Sequence, residues 1–128
     1  MKFARWTFLL AAIYGVLVLI PGFFTEQLLG EISPPPINHP EFYYGFYGAA
    51  LVWQFVFFLI SRDPVRYRPL MIIAVFEKLA FFAPSLALHF TGRLAVSGPL
   101  VGALIDGVLM VLFAAAWIAS KPPREAIG

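Results

Sequence analysis

Cysteine is absent from this chain, and charge is scarce. Without thiols there are no disulfides, no thiolate metal sites and no thiol redox chemistry, while the compartment is left open. Charged residues fill only 12% of the 128 positions, about half the share of an ordinary soluble domain. The net charge of +2 is too small and too scattered for nucleic-acid binding, so no such partner is expected. There is no HExxH, no phosphate loop and no nucleophile elbow. No cofactor is expected.

What fills the chain instead is apolar. Hydrophobic residues make up 61% of it, and the mean hydropathy is +0.85. A small fold has too much surface for its volume to hide this from water. The alternative solvent is lipid. A membrane helix needs about 20 mostly apolar residues. Four segments qualify, at about 6–24, 42–61, 70–90 and 99–119. The expectation is all-α: a four-transmembrane-helix bundle forming a single integral membrane domain over 1–128.

The boundaries carry helix-start chemistry. "NHPE" offers Asn38 as N-cap, with Pro40 in the first turn and Glu41 at the capping-box position. "SGP" offers Ser97 and Pro99 before the last span, and Asp63 precedes Pro64 in a short loop. The connector "TEQLLGEISPPPINHP" reads as an extended, stiff crossing because of its proline triplet. The N-terminal span lacks a small-x-small cleavage site, so it reads as a retained anchor.

Charge orients the bundle. Lys2 and Arg5 precede the first span, Arg62, Arg66 and Arg68 separate the second and third, and Lys121 and Arg124 follow the fourth. The other two connections hold Glu26, Glu31, Glu41 and Arg93. The positive-inside rule then places both termini in the cytoplasm, consistent with an even number of spans. Trp6, Tyr67 and Trp117 fall at the inner interface, and "FYYGFY" (42–47) at the outer one, as an aromatic belt.

Ionisable residues inside the spans are the functional suspects. Helix rise puts Glu77 roughly 11 Å from the inner boundary, and Tyr14 and Gln54 roughly 12 Å, in one layer. Asp106 lies roughly 10 Å from the outer boundary, one or two turns higher. Glu77 and Lys78 are adjacent, so they point about 100° apart and each needs a partner on another helix. An ionised group at mid-membrane costs at least about 2.5–3.5 kcal/mol. The expected arrangement pairs Lys78 with Asp106, and Glu77 with Gln54 and Tyr14. The alternative is a Glu77 that carries a proton, neutral in hydrocarbon. Gly98, Gly102 and Asp106 fall at four-residue steps, and Gly45 and Ala49 offer a similar seam for close helix approach.

Two surface features remain. His39, Glu41 and His89 are expected near the outer surface, but their spacing demands no metal, and none is expected. "SRDPVRYRPL" gathers Arg62, Arg66 and Arg68 beside the inner leaflet. It reads as a topology signal or as a site for anionic lipid headgroups.

The stretch "HPEFYYGFYGAALVWQFVFFLISRDPVRYRPLMIIAVFEKLAF" resembles small bacterial membrane proteins, and the overall layout looks like the DoxX-like group of four-helix membrane proteins. That resemblance implies a four-helix fold and an association with redox complexes, including thiosulfate–quinone chemistry. No catalytic motif residue can be matched. The leading functional expectation is a non-enzymatic protein of a bacterial inner membrane. It would bind a lipophilic small molecule or serve as an accessory subunit through Tyr14, Gln54, Glu77, Lys78 and Asp106. The rivals are an enzyme acting on a lipid or quinone with Glu77 or Asp106 as acid/base, and a structural subunit packed against a membrane protein partner.

Overall fold

The computed structural model describes residues 2–122; Arg124, counted above among the inner bases, lies outside that range. The described chain forms α1 (Lys2–Gly22), α2 (Glu26–Ile32), α3 (Pro40–Arg62), α4 (Arg68–Phe90) and α5 (Gly98–Ala119). Four of these, all except α2, are long and apolar enough to cross a membrane, and the chain is an integral membrane protein with an all-α bundle fold. Three of the spans run one to four residues further toward the basic end than the apolar runs alone suggest, because a helix continues through Lys2, Arg62 and Arg68 into the interface; α5 ends at Ala119 as expected.

α2 departs from the extended connector expected there. "EQLLGEI" supplies good helix formers ahead of the proline triplet, which cannot continue a helix, and the chain coils for two turns before it extends. The caps also differ. His39, not Asn38, occupies the N-cap of α3, with Pro40 at the first helical position. Glu41 bonds the His39 ring at 3.2 Å instead of closing a capping box. Ser97 caps α5 as expected by position, but its hydroxyl donates to the Ala95 carbonyl.

The helices alternate up and down. α1 packs along α3 and α4 along α5, and α1 meets α5 more closely than α3 meets α4. Arg5 at the start of α1 donates to the Arg62 carbonyl at the end of α3, at 3.3 Å. Arg68 at the start of α4 donates to the Trp117 carbonyl at 2.9 Å and covers its indole at 4.2 Å. One end of the bundle therefore gathers Lys2, Arg5, Arg62, Arg66, Arg68 and Lys121 with Asp63, and the other gathers Glu26, Glu31, Glu41 and Arg93.

The dense core fills the basic half. Ala4, Phe8, Ala11 and Ala12 of α1 meet Phe57 and Ile60 of α3, Met71 and Ala74 of α4, and Phe113 and Ala116 of α5. Small residues on α1 let the bulky rings of other helices approach the axis. Phe8 stacks on Phe113 with centroids 4.2 Å apart, and Phe57 meets Phe113 at 5.0 Å, nearly edge-on. In the opposite half, Tyr43 is buried and donates to the Gly22 carbonyl at 2.7 Å, while Tyr47 lies across Gly22. Two tyrosines of the expected outer belt thus hold α3 to α1; Phe42 and Phe46 remain exposed.

The close-approach seams are not where the small-residue pattern put them. A Cβ at Gly45, Gly98 or Gly102 would meet nothing within 4 Å. The glycines that matter are Gly15, which faces the Gln54 side chain, Gly22 and Gly107, where a Cβ would meet Phe82 at 2.6 Å. A helix that faces lipid on one side and protein on the other is apolar all round, so its sequence does not reveal which glycine is packed. Gly15→Ala pits two effects against each other. Alanine gains up to about 1 kcal/mol of helix propensity, but crowding against buried Gln54 costs about 1–3 kcal/mol. The expected net is a loss of about 1 kcal/mol. Gly102→Ala, in open space, should instead be neutral or stabilising by up to about 1 kcal/mol. Unfolding titrations in mixed detergent read both, and a Gly15→Ala protein as stable as Gly102→Ala would contradict the α1–α3 seam.

Candidate functional site

Above the apolar core, α4 brings a lysine into the bundle. Met71, Ala74 and Lys78 follow at steps of three and four on the buried face of α4, so the register that buries Met71 also buries Lys78. Only 5% of Lys78 is exposed. Its ammonium donates to Asp106 Oδ1 of α5 at 3.3 Å and lies 5.1 Å from the centroid of the Phe57 ring of α3. Lys78 thus contacts two other helices and closes the top of the core.

Glu77 does not stand apart as its neighbouring position implies. Its Oε2 lies 3.7 Å from the same ammonium. The backbone directions of adjacent residues diverge, but a lysine stem is long enough to curl back. One ammonium therefore sits between two carboxylates, each with a side chain 17% exposed. At 3.7 Å the Glu77 contact is an ion pair and too long for a hydrogen bond. Glu77 Oε2 is buried and accepts no hydrogen bond.

The expected bonds from Gln54 and Tyr14 to Glu77 are not formed. Gln54 is buried on α3, and its amide donates to the Ala50 carbonyl one turn back at 2.8 Å. That bond needs no second helix, so it wins over a longer reach. The Gln54 carbonyl oxygen lies against Gly15 and accepts no hydrogen bond. Tyr14 is half-buried on α1.

The other candidates scatter. His39 pairs with Glu41, whereas the His89 ring donates to the Leu94 carbonyl at 2.8 Å, so the two histidines serve separate local contacts. Arg68 is spent on Trp117, and Arg66 lies over the Tyr67 ring at 5.5 Å. Arg62 instead joins Arg5 at an open depression of about 470 Å³ lined by Arg5, Trp6, Leu9, Phe58, Ser61 and Arg62. Of this set, sequence reasoning tied only Arg62 to a ligand; the antiparallel α1–α3 pairing brings Arg5, Trp6 and Leu9 beside it.

The chemistry of the Glu77–Lys78–Asp106 cluster follows from its charge count. With all three groups ionised, two carboxylates and one ammonium leave an excess negative charge inside hydrocarbon, where charge is costly. The cluster also presents one acceptor, Glu77 Oε2, that receives no hydrogen bond. Such a site suits a cation or a hydrogen-bond donor, and it repels an anion. Neither carboxylate is free of Lys78, which argues against an acid/base pair poised for chemistry. No family model, no curated protein and no solved structure matches this chain.

Proposed function

We propose that this chain is a non-enzymatic protein of a bacterial inner membrane, with its basic end in the cytoplasm, that binds a lipophilic molecule through the Glu77–Lys78–Asp106 cluster. The ligand carries a hydrogen-bond donor on its polar end, a hydroxyl or an amine, and a quinol fits that description. The observation that supports this reading is the buried, unbonded Glu77 Oε2 beside a lysine already bonded to Asp106. A purely structural ion pair has no use for a second carboxylate in hydrocarbon, because a buried acceptor that receives no hydrogen bond costs about 1–3 kcal/mol. A ligand donor would satisfy that oxygen and offset the cost.

Native mass spectrometry of the protein released from mild detergent tests the reading. The wild type should retain a lipophilic small molecule. Glu77→Gln keeps the size of the side chain and removes its charge, and should cut retention about tenfold, the worth of one hydrogen bond to a charged group. A wild-type protein that emerges bare, or equal retention by a folded Glu77→Gln protein, would reject the proposal in favour of a structural cluster.

A further inference from the structure

The depression at the basic end is distinct from the buried cluster. Arg5 and Arg62 come together there from the start of α1 and the end of α3, and neither has a carboxylate partner among the described residues. Arg5 spends one donor on the Arg62 carbonyl at 3.3 Å; the rest of its guanidinium stays available. The Arg62 guanidinium lies 6.0 Å from the Phe58 ring, over an apolar wall. Ser61 is no ligand, because its hydroxyl donates to the Phe58 carbonyl at 2.6 Å. Trp6 and Phe58 are both largely exposed on the surface that faces lipid.

We propose that this depression binds the phosphate of an anionic phospholipid from the leaflet at the basic end. Arg5 and Arg62 hold the phosphate, in the geometry that guanidinium and phosphate share. Trp6, Leu9 and Phe58 hold the acyl chain just beneath it. Two like charges side by side at the rim repel unless an anion joins them, and the apolar walls favour one with a hydrocarbon tail over free phosphate. The site draws only Arg62 from the basic loop; Arg66 and Arg68 lie outside it and are engaged by Tyr67 and Trp117.

Native mass spectrometry with added phosphatidylglycerol, phosphatidylcholine or inorganic phosphate reads the site directly. The wild type should retain phosphatidylglycerol in preference to phosphatidylcholine, and millimolar phosphate should not displace it. Arg62→Gln leaves the Arg5–Arg62 backbone bond intact and should lower phosphatidylglycerol retention about fivefold. Arg66→Gln should leave retention unchanged. Arg5→Gln, with helicity checked by circular dichroism, should repeat the Arg62→Gln loss. Equal retention by wild type and Arg62→Gln would overturn the proposal. So would equal losses in Arg66→Gln, indifference to headgroup charge, or displacement by free phosphate.

Discussion

Replacing Lys78 by methionine should lower the unfolding free energy in detergent by about 3–5 kcal/mol, the usual cost of leaving a buried charge without its partner. The ammonium is the only positive group in the cluster, 3.3 Å from Asp106 and 3.7 Å from Glu77. Methionine fills much of the same space and keeps the contact with Phe57, so the loss reports charge more than volume. Two carboxylates would then face each other in hydrocarbon. The control is the triple variant Lys78→Met, Glu77→Gln, Asp106→Asn, which removes every charge at once. Replacing a complete buried ion cluster by neutral groups is often close to neutral for stability, so most of the loss should return. A Lys78→Met protein within about 1 kcal/mol of wild type would mean that the ammonium does not bridge α4 and α5 as described.

That bridge was partly legible in the sequence. The four spans follow from apolar run length, and Glu77, Lys78 and Asp106 stand out because charge inside such runs is rare. Helix rise puts Asp106 one or two turns above Lys78, a gap that an extended lysine bridges for the most part. The partner of Glu77 is less legible, because adjacent positions on a helix diverge, and the flexible lysine stem undoes that divergence. Gln54 turned to its own helix for the same kind of reason: a local carbonyl competes with any distant partner. The rotation of each helix was least legible. Lipid-facing and protein-facing sides are equally apolar here, so Gly98 and Gly102 looked like a seam while Gly15, Gly22 and Gly107 made the close approaches. The two turns of α2 are not legible in the sequence, because seven residues are too few for a periodic signal.

Phe113→Ala tests the solvent itself. Phe113 is fully buried, stacked on Phe8 at 4.2 Å and set edge-on to Phe57 at 5.0 Å. In a water-soluble protein, such a truncation costs about 3–5 kcal/mol, from lost transfer out of water plus the cavity left behind. The transfer part is worth about 1.5–3 kcal/mol for a phenylalanine. In lipid or detergent the separated helices still lie in an apolar medium, so that part vanishes and only packing remains. The expected loss is therefore about 2 kcal/mol, read by titration from mild to denaturing detergent. Phe113→Leu, which keeps most of the volume, should cost less than about 1.5 kcal/mol. A loss of 5 kcal/mol would restore the transfer term and mean that the unfolded helices enter water, against a membrane-embedded bundle. A loss near zero would mean that the three rings do not form the packed centre on which the Lys78 cluster rests.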